Sequence, residues 1–584
     1  MKHGARLFFG IAGVLVAIVA CGSGSFDRDD GSQVGADGAA AGTSSSLPPG
    51  MGSGDPEPEP EEEQDQAFRV PVVSGRWVWT ANPTSGRVAL IDAKSFTVKT
   101  ALAGAAPTYL TALPAADGGS RALVLNTVSQ DASLLSAADG GDIEVLATLP
   151  VHAGANAWAV TADGHFAIAW TNATLVPNAD PSQGFQDITV LDVAASPPTS
   201  KRLSVGYRPA RVFMNDDGRH VYVATDAGID VVDLASDAGP IVERELALSD
   251  NPARDTARRE VSVTPDGEYA FVRRDGQSYL TIVDIARRKL KDLVLPGVVT
   301  DLDLTRDARL AVAIIRDRVI PAESAAAGAP GEGGSGGADV ASEAAGAPDV
   351  GAAGAGGTSS PSGRASVAVL LPVDTIFDAP DVYDRVELDE LFGSVELGAR
   401  SETALLFSNA VPSTHLTLLG LTEREHRTVD LKLPVLTAVS SPDGAHALAL
   451  LQPRAGSQQP GAFAVVPIEK DLPPRIQGTK APTVPVNRAK DLPAMVAVGD
   501  RRALVTVSNG SDVNVAYLVS MPELTVDTFE LASVPLPQAS GLVPEANQAF
   551  VAQRHPEGRI TFIDLDSKAQ HTLTGFELST KVGK

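Results

Sequence analysis

Residues 259–297 read REVSVTPDGEYAFVRRDGQSYLTIVDIARRKLKDLVLPG. Apolar and β-branched residues gather at 261–264, 269–273, 280–285 and 291–295, in runs of strand rather than helix length. Pro265-Asp266-Gly267 separates the first two runs, and Asp275-Gly276 the next two. Asp-Gly suits a tight hairpin, because both residues tolerate positive φ. Four short strands joined by tight turns make one antiparallel unit.

The same grammar recurs from residue 68 onward, and ten units can be counted. The turn after the first strand appears as Asp117-Gly118, Asp163-Gly164, Asp217-Gly218, Asp266-Gly267, Asp307-Ala308, Asp443-Gly444 and Gly499-Asp500, with degenerate forms at Ala399-Arg400 and Glu545-Ala546. The third strand often ends in a hydrophobe and Asp, as at Ile91-Asp92, Leu191-Asp192, Val232-Asp233, Val283-Asp284, Val373-Asp374 and Ile563-Asp564. The second often ends in Asn: Asn82, Asn126, Asn172, Asn409 and Asn509. Asx-type hydrogen bonds at strand ends account for these. Inner segments such as ALVLN, FAIAW and LAVAII are continuously apolar, which predicts a sheet buried on both faces. Radially stacked blades meet that requirement. Each unit takes about 47 residues once a low-complexity insert at 321–363 is set aside, close to the ~40–50 of propeller repeats. The expected fold is all-β: a β-propeller of four-stranded antiparallel blades, seven to ten in number, without substantial helix.

Val78-Trp79-Thr80-Ala81-Asn82, then Val88-Ala89-Leu90-Ile91-Asp92, then Thr97-Val98-Lys99-Thr100 resemble the YVTN-type β-propeller repeat. So do residues 261–285, with their TPDG turn and TIVDI strand. The resemblance runs over 68–576, more loosely in units six to ten. It implies a fold and no single activity, since related propellers include binding proteins, surface proteins and some enzymes.

The start of the chain carries a different signal. Lys2 and Arg6 precede a short apolar run at 7–20, and Ile18-Val19-Ala20-Cys21 follows. The run is too short to span a bilayer comfortably. The segment resembles the lipobox of bacterial lipoproteins, which implies cleavage after residue 20 and lipidation (palmitate among the chains) at Cys21. Gly22 rather than Asp after the cysteine implies sorting to the outer membrane. Residues 22–67 read as a disordered Gly/Ser/Pro-rich tether with eleven acids against one base, Arg28. Its ends are expected ~35–40 Å apart.

Composition narrows the function. Cys21 is the one cysteine in 584 residues, so internal disulfides, Cys-based zinc sites, iron–sulfur clusters and c-type haem attachment are excluded. A net charge of −25 argues against nucleic acid as a partner. No cofactor is expected. Gly333-Gly334-Ser335-Gly336-Gly337 and Gly331-Glu332-Gly333-Gly334-Ser335-Gly336 match a nucleophile elbow and a dinucleotide fingerprint, but both lie in the insert, without strand–turn–helix context. The nine histidines show no metal-ligand spacing; His152 and His555 fall in expected loops. The acids from Asp374 to Glu390 lack a calcium-loop pattern and read as a solvated segment.

Two groups remain as candidate sites. Asp301 and Asp303 alternate with leucines in a first strand, which in a propeller lines the central channel. There they face water, or hold a cation or ligand. Basic residues cluster in units four and five at Arg208, Arg211, Arg254, Arg258, Arg259, Arg273 and Arg274, with acids interleaved. Most fall in loops before first strands or after second strands, which share one face of a propeller. That face is expected to gather Tyr207, Arg208, Arg254, Arg258, Arg259, Asn172, Asn409 and His555, and to meet a protein or glycan partner of the cell envelope. The alternative is a propeller hydrolase or lactonase with a metal or acid/base site in the channel. Such a site needs convergent Glu, Asp, Asn or His from several first strands, and most of these strands, such as 109–112 and 495–498, offer apolar or small residues.

Overall fold

The computed structural model describes residues 71–575, except 116–118, 140, 174–175, 177–184, 250–258, 317–365, 399, 401, 453–460, 469–471, 481–493, 509–512, 522, 532–536 and 554–557. Among the described residues, forty strands form ten sheets, each of four consecutive strands in simple meander order. The blades span residues 72–102, 107–150, 157–204, 211–247, 259–294, 298–387, 394–430, 435–478, 494–530 and 537–574. All pairings are antiparallel. The tenfold count stands at the top of the expected range.

Ten core clusters occupy ten seams, each uniting two neighbouring blades. The period of two along a strand explains this division. In blade 1, Trp77, Trp79, Val88 and Leu90 pack on blade 2, while Val78, Ala89 and Ile91 pack on blade 10. In blade 6, Ala311, Ala313 and Ile315 face blade 5, whereas Val312 and Ile314 face blade 7. Both sides of an inner strand therefore need hydrophobes, and its sequence loses alternation. Outer strands bury far less: Leu203, Leu246, Leu293 and Phe529 each sit between exposed neighbours. Among the described residues no strand is exchanged between blades 1 and 10, and side chains join them across the seam. Phe562 and Phe550 of blade 10 meet Phe96 and Ile91 of blade 1 there.

Hydroxyl–aspartate turns recur after the first strands. Thr161, Thr264, Thr305 and Ser441 donate their hydroxyls to Asp163, Asp266, Asp307 and Asp443 at 2.5–2.7 Å. Each aspartate also accepts the backbone N–H two residues on. The next position takes positive φ, as Gly164, Gly267, Gly444 and, without glycine, Ala308. The aspartates that end third strands close a second type of turn. Asp92 accepts from Lys94 and Ser95, and Asp564 from Asp566 and Ser567. The residue four positions on then enters the left-handed region, as Phe96, Arg288 and Lys568 do. Asp374 departs from this expectation: the third strand of blade 6 ends at Pro372, and Asp374 lies in a single helical turn, Val373–Ile376.

Consecutive antiparallel strands put the connections after second and fourth strands on one face. The long connections 171–186, 248–258, 317–365, 452–461 and 479–493 all leave and rejoin the described strands on that face. The opposite face carries short turns, apart from 373–383 with its helical turn. The insert expected at 321–363 falls outside the described residues, but its flanks are fixed: Arg316 and Ser366 are cross-strand neighbours in blade 6.

Candidate functional site

The channel wall of blades 4 to 7 gathers ionisable side chains from several first strands. Asp301 and Asp303 lie in the first strand of blade 6, Val298–Leu304. Asp301 is buried, 3% exposed, rather than facing water. One of its oxygens accepts the N–H of Val395 at 2.7 Å, and the other that of Leu302 at 2.8 Å. Asp303 accepts the N–H of Leu397 at 3.0 Å. Val395 and Leu397 belong to the first strand of blade 7, Ser394–Leu397. The two aspartates thus reach across a seam that no sheet hydrogen bond crosses.

Glu396 sits between those two amides on blade 7, and Glu260 on the first strand of blade 5. The acids therefore come from three blades, more than expected from first strands read as mostly apolar or small. Arg273, 7% exposed, donates to Glu260 at 2.8 Å and to Asp275 at 2.7 Å. Burial opposes its charge, but Glu260, Asp275 and Asp301 outweigh that and raise its pKa. Burial, then Glu260 and Asp303, push Asp301 well above the usual carboxylate range. Burial and Glu260 carry Asp303 up to about 7, against the N–H of Leu397 and the charge of Arg211. Glu396 rises to about 8, through burial first and Asp303 second. Such carboxyls hold protons near neutrality and can give them up. Among the described residues, no group of three or more His, Cys, Asp or Glu is arranged to hold a metal ion.

The second candidate is the face of the long connections. Tyr207 and Arg208 lie between blades 3 and 4, both partly exposed. Arg208 takes a φ of 51° and pairs with Asp226 at 3.7 Å, so its charge is shared with the neighbouring turn. The carbonyl of Tyr207 accepts the N–H of Asp226. Arg259 opens the first strand of blade 5. Asn409 is partly exposed in the connection at 408–414. Asn172 is buried, and its backbone exchanges two hydrogen bonds with the Asn156 side chain, which makes it a strut of this face. Arg254, Arg258, His555 and Cys21 lie outside the described residues.

His152 is a buried structural group, held between Thr189 at 2.8 Å and Thr171 at 3.2 Å, with its pKa lowered to about 4 by burial. On the short-turn face, a cavity of 380 Å³ opens in blade 2 among Ser120, Arg121, Asp139 and Glu144. Arg76 and Lys99 of blade 1 pair with Asp139 and Asp142 at its rim.

No family model matches the chain, and no curated protein matches it. Solved structures do. A eukaryotic initiation factor is similar at 10% identity and a TM-score of 0.45, over 86% of this chain and 97% of that one. Dihydro-heme d1 dehydrogenase NirN, in complex with DHE, is similar at 12% identity and a TM-score of 0.38, over 75% of each chain. The Cps50 (Swd1) β-propeller domain of Myceliophteria thermophila is similar at 12% identity and a TM-score of 0.31, over 66% of this chain and 95% of that one.

Proposed function

We propose that this protein is a non-enzymatic binding scaffold of the cell envelope, a YVTN-type propeller held at the outer membrane through lipidated Cys21. The observation that carries this reading is that all but one of the long connections leave and rejoin the described strands on one face of the ring. Loops on a rigid scaffold are where binding residues usually sit. Arg254, Arg258 and Arg259 belong to one of these connections and its strand start, and with Tyr207 and Arg208 they suit an acidic protein or glycan.

Capture from envelope extract by the immobilised full chain tests this. Arg254→Glu, Arg258→Glu and Arg259→Glu together should weaken capture roughly tenfold, about 0.5 kcal/mol per reversed charge, and added salt should weaken it further. Undiminished capture by the triple variant, with capture lost when the Asp-Gly turns of the opposite face are altered in a folded protein, would move the working face to the other side.

The channel acids favour a second reading, a propeller hydrolase or lactonase in which Glu396 or Asp303 serves as general acid. Hydrolysis of a lactone panel that vanishes in Glu396→Gln would support it. The metal content of the purified chain would show whether a bound cation takes part.

A further inference from the structure

We propose that the inner seam between blades 6 and 7 is a pH-responsive latch, in which Asp301 and Asp303 hold the free strand edge of blade 7 and accumulating negative charge among them, Glu260 and Glu396 loosens it. The latch follows from strand geometry. Asp301 and Asp303 are two residues apart on one strand, and Val395 and Leu397 two apart on the next, so the spacings match. Gly398 bonds to Thr403 of the second strand of blade 7. Alternation along an antiparallel ladder therefore leaves the N–H groups of Val395 and Leu397 on the inner edge. An inner-edge amide without water or a partner is costly, and the carboxyl oxygens satisfy both.

The charges facing this latch come from four blades. Blade 6 supplies Asp301 and Asp303, blade 5 Glu260 and Arg273, blade 7 Glu396, and blade 4 Arg211. Arg273 is shared between Glu260 and Asp275, and Arg211 lies over the Phe213 ring, 5.1 Å from its centre. Two guanidiniums thus face four carboxyls, and a full set of carboxylates cannot be balanced. Asp303 and Glu396 keep protons up to about 7 and about 8. An unfolded chain loses them near the ordinary carboxylate value, ~4. Between these limits the folded ring binds more protons than the unfolded chain, so its stability falls as pH rises through the window. Below ~4 the contribution is complete.

The test is thermal unfolding of the full chain in detergent from pH 4.5 to pH 8.5, with Asp303→Asn, Glu396→Gln, their combination and the surface control Asp142→Asn. The midpoint of the native protein should fall with rising pH. The double variant should lose at least half of that fall and melt roughly 2 °C or more above the native protein at pH 8.5. The control should track the native curve. A double variant whose midpoint falls in parallel with the native one overturns the latch. Infrared titration of the native protein gives an independent answer: a protonated-carboxyl stretch should persist above pH 6, and its complete loss by pH 5.5 overturns the latch too.

Discussion

Phe562→Ala should cost about 3–5 kcal/mol and open the ring between its first and last blades. Phe562 is fully buried in the cluster that joins blade 10 to blade 1. Its ring meets Phe96 at 5.5 Å and Phe550 at 6.3 Å in tilted contacts. Phe96 reaches it from a turn in which its φ is 59°, and it also stacks on His571 at 4.1 Å. Since no strand among the described residues crosses this seam, removing the central ring leaves a cavity that sheet hydrogen bonds there do not bridge. Arrays of repeats that meet only their neighbours fray at a free end. Hydrogen exchange should therefore quicken in Trp77–Asn82 and Gln548–Gln553 before the rest of the ring. Phe463→Ala, at the seam of blades 8 and 9, should cost a similar amount without exposing the terminal blades. A Phe562→Ala ring that loses less than about 1 kcal/mol with unchanged exchange would show that closure does not depend on this cluster.

Cys21→Ser should move the protein from the membrane pellet to the soluble fraction, or leave an uncleaved precursor. On the proposed anchoring, one acyl chain would hold only marginally and several together stably, so losing the thiol at which the anchor is expected would remove the hold outright. Among the described residues, no helix is long and apolar enough to cross a membrane. The net charge of −25 adds repulsion from anionic lipid surfaces. Fractionation with an immunoblot for size reads both outcomes. A variant that is fully processed and still sediments with membrane would refute lipid anchoring at this residue.

The repeat was readable because each blade solves the same local problem. Asp-Gly pairs mark one class of turn, and apolar inner strands announce burial on both faces. Where a blade uses other chemistry, the signal fades. Ala308 adopts positive φ without being glycine, and Phe96 and Lys568 do so because an aspartate four residues earlier has already closed the turn. The Asp-Gly rule alone does not reveal these. The carboxyl cluster was legible only in part. Asp301 and Asp303 stand out as acids in a leucine-rich strand, but the amides they bind are 94 residues away in sequence, beyond the insert. Glu396 lies in a strand of four residues, too short for alternation to identify it as channel-lining. Asn172 shares its second-strand position with Asn82, yet its amide is tied to Asn156. The identity of the tying residue depends on tertiary neighbours rather than on local sequence.

Site-specific photo-cross-linking in living cells tests the central claim, that the face of the long connections is the one that works. A photoreactive residue would be placed singly at Tyr207, Arg208 and Asn409 on that face, and at the exposed turn residues Asp217, Asp266 and Asp307 on the other. Discrete higher-mass adducts should form from the first set and not from the second. Adducts confined to the Asp217, Asp266 and Asp307 positions would contradict the account.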